Sequence, residues 1–154
     1  MVFGSDLQPV VEAGMALVVG TVSVDGEPRA HRAWSATVVD PDEPRIRFVM
    51  SADDPDVVAH LESGAVSLTG ANVVTYASMQ VKGRPVVVEA PTADDMECAR
   101  VSTDAFFDSV VRFDGDPTEL LVRMLPLTYL AVEMIVDEAF DQTPGPKAGS
   151  RWTS

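Results

Sequence analysis

Apolar and polar positions alternate through most of this chain, and short turns cut the alternation into pieces. Residues 16–24 are apolar and β-branched, and Asp25-Gly26 is a strong two-residue hairpin signal after them. A returning strand is predicted over about 27–40, ending at Pro41-Asp42-Glu43-Pro44, and 45–50 reads as a third strand. Asp54-Pro55 predicts a helix start, with Asp54 as N-cap, proline in the first helical position and Gly64 as the stop. Val57, Val58 and Leu61 give that short helix one apolar face. Residues 65–70 return to strand. Residues 73–90 read as a strand pair or one bent strand, turning near Lys82-Gly83-Arg84-Pro85.

The C-terminal half changes period. Thr92 with Asp95 three residues later resembles a capping box, with Asp in place of Glu. Met96, Ala99, Phe106, Val110 and Phe113 then follow a 3.6-residue period, which predicts a long helix with those residues on its buried face. Asp116-Pro117 starts a further helical turn holding Leu120, Leu121 and Met124. Residues 127–136 are the last predicted strand, and 143–154 form a Pro/Gly-rich tail. No repeat or linker divides the chain, so residues 1–154 are expected to form one domain. The element order implies an α+β fold with a dominant antiparallel sheet, closed as a small barrel, with the helices packed outside.

One strand carries unusual polarity. In Tyr76-Ala77-Ser78-Met79-Gln80-Val81-Lys82-Gly83-Arg84, strand geometry puts Ser78, Gln80 and Lys82 on one face and Met79 and Val81 on the other. Such a row is either a solvated face or the wall of a ligand groove.

Composition narrows the class. The chain has 154 residues, 46% of them hydrophobic, which is enough for a real core and excludes a disordered protein. No run reaches the ~18 apolar residues of a membrane span, and no basic-then-apolar leader opens the chain. A cytoplasmic protein is expected. Eleven Lys and Arg against 24 Asp and Glu leave a net charge of −13, which argues against nucleic-acid and anionic-membrane partners. The single Cys98 has no partner for a disulfide and no companion at metal-ligand spacing, so no metal site is expected.

The ordered set of motifs resembles the pyridoxamine 5′-phosphate oxidase-like split barrel. The resemblance runs from Gly26-Glu27-Pro28 into Ala30-His31-Arg32-Ala33-Trp34, through Phe48-Val49-Met50-Ser51 before the short helix, to Val66-Ser67-Leu68 and Met79-Gln80-Val81-Lys82-Gly83. It covers about residues 15–91. It implies a homodimer holding FMN between subunits, with the flavin supplying redox chemistry on a small-molecule substrate. No catalytic residue follows from it.

Under that resemblance, Gln80 matches the flavin-contacting glutamine, with Ser78 and Lys82 beside it. His31 or Arg32 falls at the phosphate-binding position, and Ser51 sits where a hydroxyl meets the phosphate. Trp34 and Ser35 complete the set on the second strand. His60 is read as a helix-surface histidine. Trp34, Phe106 and Phe107 are expected to bury their apolar surface between subunits. The chain departs from the family pattern in carrying Asp54-Pro55-Asp56 where founding members carry Ser-Arg-Lys, so weak FMN binding is expected. Two other readings follow from the same residues: a cofactor-free or small-ligand-binding split-barrel module, and haem binding through His31 or His60.

Overall fold

The computed structural model describes Val11 and residues 14–152. Seven antiparallel strands form one sheet in the order β3-β2-β1-β4-β5-β6-β7. They are β1 (Ala16–Val22), β2 (Pro28–Asp40), β3 (Arg45–Ser51), β4 (Val66–Ala71), β5 (Ser78–Glu89), β6 (Tyr129–Asp141) and β7 (Ser150–Arg151). β3 also pairs with β6, and that pairing closes the first six strands into a barrel. The helices α1 (Val57–Glu62), α2 (Ala93–Phe113) and α3 (Thr118–Leu121), the last running into a 3-10 turn at Val122–Met124, pack against it. The predicted α+β split barrel is the fold observed.

Alternation explains the core. Leu17, Val19, Phe48, Leu68, Val81 and Met134 project inward from five strands and are almost completely buried. Val57 and Leu61 of α1 join the same core, so the short helix plugs one end of the barrel. A second cluster lies outside the sheet, where Phe106, Phe107 and Val110 of α2 cover Trp34 and Val49. The capping box forms as predicted: Thr92 Oγ1 accepts from the Asp95 amide, and the Asp95 carboxylate accepts from the Thr92 amide.

Several boundaries differ from expectation, each for a local reason. The first hairpin closes over residues 24–26, not two, because the Ser23 amide donates to the Glu27 carbonyl and Gly26 adopts φ +85°. Residue 56, not Asp54, precedes α1; Asp54 instead accepts the Asp56 amide through its side chain. β5 is one bent strand with register shifts at Lys82/Gly83 and Pro85/Val87. β6 extends to Asp141, and the tail folds back as β7 against Phe140 and Asp141. Phe113, the last residue of α2, is exposed, while Phe107 is buried in its place with Phe106 and Val110.

Candidate functional site

Cross-strand partners in an antiparallel sheet share a face. Arg32 pairs with Val18, Val18 with Thr69, Thr69 with Gln80, and Gln80 with Phe140. One row therefore crosses the outside of the barrel, with Arg32 and Gln80 three strand spacings apart, roughly 14 Å. Met79 and Val81 are buried on the opposite face, as the sequence pattern predicted. The Gln80 amide donates from Nε2 to Thr69 Oγ1 at 3.0 Å, which orients it. Lys82 Nζ lies 5.1 Å from the centre of the Phe140 ring. Ser78 is already engaged: its hydroxyl donates to the Tyr76 carbonyl, and its amide donates to Thr143 Oγ1. Arg84, next along β5, pairs with Asp137 in the open and stands apart from the row.

His31 and Arg32 point to opposite sides of β2. Arg32 is half-buried, and its guanidinium sits 5.6 Å from the ring centres of both Trp34 and Phe106. Among the described residues it has no carboxylate partner. Trp34 itself is covered within the single chain, edge-on against Phe107 at 6.3 Å, and only 3% exposed. Phe106 and Phe107 are buried with it. The expectation that these rings need a second subunit is therefore overturned, because α2 already covers them. Trp34 Nε1 donates to Ser51 Oγ at 3.0 Å, so the indole orients that hydroxyl, which accepts this bond and keeps its own proton to donate. Ser35 lies beneath α2, lining a cleft of about 400 Å³ with Cys98 and Ser102.

His31 turns toward the plugged end of the barrel. Its Nε2 lies 3.2 Å from Thr21 Oγ1, and its ring centre is 6.0 Å from that of His60. Burial lowers its pKa against the opposing influence of Asp54, with His60 and Arg29 lowering it further. His60 is 6% exposed, not a surface residue, because α1 presses it against the barrel end. Asp54 Oδ2 lies 3.7 Å from His60 Nδ1. The acidic loop thus faces the histidines. Asp53 accepts the Leu127 and Thr128 amides and the Thr128 hydroxyl, which hold its carboxyl below the usual range. Neither carboxylate is bonded to Arg32. Sequence reasoning missed the roles of His60 and Asp54, since their meeting depends on how α1 seats in the barrel. Thr69 could have been found by pairing residues 65–70 with the polar row.

No protein-family model matches the sequence, and no curated protein matches it. Solved structures do. A candidate pyridoxamine 5′-phosphate oxidase from Lactobacillus delbrueckii superposes with a TM-score of 0.53 at 16% identity, covering 89% of this chain and 93% of that one. An F420 reductase superposes at 0.54 with 14% identity, covering 86% and 94%. A pyridoxamine 5′-phosphate oxidase-related, FMN-binding protein from Nostoc punctiforme superposes at 0.50 with 11% identity, covering 92% and 83%. The fold is the pyridoxamine 5′-phosphate oxidase-like split barrel. At such identities the likeness to this split barrel is one of architecture. No helix among the described residues is long and apolar enough to cross a membrane.

Proposed function

We propose that this split barrel binds FMN on its outward face and serves as an oxidoreductase for a small molecule. The observation that carries the reading is Arg32. It is a half-buried guanidinium without a carboxylate partner among the described residues, in a chain where acids outnumber bases 24 to 11. A cation held this way is suited to a phosphate, and a guanidinium grips phosphate in bidentate fashion. Similarity to an FMN-binding protein and to an F420 reductase supports the same ligand class.

The residues present fit the group. Arg32 would take the phosphate, and Gln80, oriented by Thr69, would offer its amide to the polar edge of the ring. Exposed Val18 between them gives an apolar footing. Lys82 lies on the same outward face, one residue pair along β5. Ser78 and Ser35 are secondary in this reading because the Ser78 proton is engaged and Ser35 is covered, while Ser51 keeps its hydroxyl proton. Bound FMN would supply the electron or hydride transfer. The chain would position it and neutralise its charge.

A homodimer belongs to this proposal, with the outward face as half of a groove. Its support no longer includes Trp34, which α2 covers. Sedimentation at micromolar concentration should give the dimer mass, and a clean monomer would remove this part of the reading.

The test is titration of parent and Arg32→Gln with FMN and with riboflavin. The parent should prefer FMN. A charged hydrogen bond is worth ~1.5–3 kcal/mol, so Arg32→Gln should lose at least about tenfold for FMN and little for riboflavin. A parent that binds neither favours a ligand-binding split-barrel module without flavin. A parent that binds both equally well refutes the role of Arg32.

A further inference from the structure

We propose that His31, Asp54 and His60 form a binding site for a divalent transition-metal ion, with zinc the best match, at the plugged end of the barrel. The proposal is independent of flavin, because these residues lie on the side of β2 opposite Arg32.

Three separate elements deliver the ligands: His31 comes from β2, Asp54 from the loop after β3, and His60 from α1. One potential ligand atom from each lies within 4.8 Å of the others. Two imidazoles and a carboxylate are the donor set of three-ligand zinc sites, which keep a fourth position for water. They also suit other late first-row ions and disfavour magnesium and calcium, which demand oxygen.

His60 supplies the independent observation. It is 6% exposed, yet its Nδ1 has no hydrogen-bond partner. Buried polar atoms are seldom left unpaired, because the lost hydration is not replaced. The nearest carboxylate oxygen, Asp54 Oδ2, stands at 3.7 Å, too long for a hydrogen bond. It is close to the separation of two ligands on one tetrahedral ion, about 3.4 Å for bonds of about 2.0–2.1 Å. A small closing of Asp54 toward His60 would complete the pair.

The surroundings hold the ligands in place. Thr21, buried at 3% exposure, contacts His31 Nε2 and fixes its ring, the kind of outer contact that metal-bound imidazoles carry. Asp54 Oδ1 accepts the Asp56 amide, which anchors the carboxylate while Oδ2 faces His60. Val57 and Leu61 lock α1 into the core on either side of His60 along the helix. Arg29 is the cation that acts on His31 and opposes an ion there; Asp54 offsets it. A bound ion would tie α1 to β2 and to the loop between them.

The experiment uses the untagged full-length protein, stripped with a chelator and titrated with Zn²⁺, Co²⁺ and Mg²⁺. One equivalent of Zn²⁺ should bind and raise the melting temperature, since only the folded chain presents all three ligands. Co²⁺ should give the intense visible bands of a low-coordinate site, and Mg²⁺ should do nothing. Asp54→Asn, which keeps shape and lies at the partly exposed end, should weaken Zn²⁺ at least tenfold without loss of fold by circular dichroism. His31→Asn and His60→Gln should abolish the cobalt bands. Failure of the parent to bind one equivalent overturns the proposal. So does Zn²⁺ binding that folded Asp54→Asn and His31→Asn leave unchanged, since the ion would then sit on other carboxylates.

Discussion

Arg47 joins four parts of the molecule. It makes two bonds of 2.7 Å to Asp95 at the start of α2, and reaches Glu133 on β6 at 3.0 Å and Glu89 on β5 at 2.9 Å. The guanidinium holds the Asp95 carboxyl well below the usual carboxylate range, and Asp95 in turn raises Arg47. Both side chains are mostly buried, at 16% and 10% exposure. Arg47→Met leaves the acids uncompensated, so urea unfolding should show a loss of about 3–5 kcal/mol. The sign of the pH effect follows from the depressed carboxyl. As pH falls, the unfolded chain takes up this proton first, so stability present above about pH 4 is lost on the way down. The acid limb of the parent should therefore be steeper than that of Arg47→Met; equal limbs would mean Asp95 is not depressed by Arg47. Gln80 contrasts with this, since among the described residues its side chain bonds only to Thr69, on an outward face. Gln80→Leu should cost flavin affinity a few-fold to about tenfold while barely moving the melting temperature. Unchanged flavin affinity would make the polar row an ordinary solvated face.

Strands and helices were readable wherever the signal was local. The Ser78/Gln80/Lys82 row needs only the two-residue period, and the α2 start needs only Thr92 and Asp95. Thr92→Ala should accordingly lose about 1 kcal/mol, measured by thermal unfolding, because it removes one side of that box. Features set by distant partners were not readable. The two residues of β7 become a strand only because β6 runs on to Asp141 beside them, and Arg151 reaches Glu138 there. The burial of His60 and the meeting of His31 with Asp54 depend on α1 entering the barrel end, which no spacing encodes. Gly83 lies between these cases: its place in a turn-like stretch was visible, but its reason was not. It occupies a register shift where a Cβ would collide with the Ile135 carbonyl oxygen and backbone of β6. Backbone cannot yield as a side-chain tip can, so Gly83→Ala should cost more than the ~1–3 kcal/mol of ordinary overpacking. Normal chemical stability of that variant would show the bend to be adaptable.

The chain as a whole carries −13, while Arg32 and Lys82 stand on the outward face without carboxylate partners among the described residues. A phosphate approaching that face meets two opposing influences with different ranges. The summed negative field acts at a distance and slows the encounter; the Arg32 guanidinium acts only on contact. Salt separates them. At ~0.1 M the screening length is about 10 Å, so the distant repulsion fades while a half-buried contact persists. If FMN binds as proposed, its association rate should rise with ionic strength, and its dissociation rate should change less. Riboflavin shares the ring but lacks the phosphate, so its association rate should stay flat. Stopped-flow quenching of flavin fluorescence at low and moderate salt measures both. An FMN association rate that falls with salt would mean that Arg32 and Lys82 dominate the local field at long range. A rate as flat as that of riboflavin would mean that the phosphate never enters the site, and Arg32 would then need another anion to explain its unpaired charge.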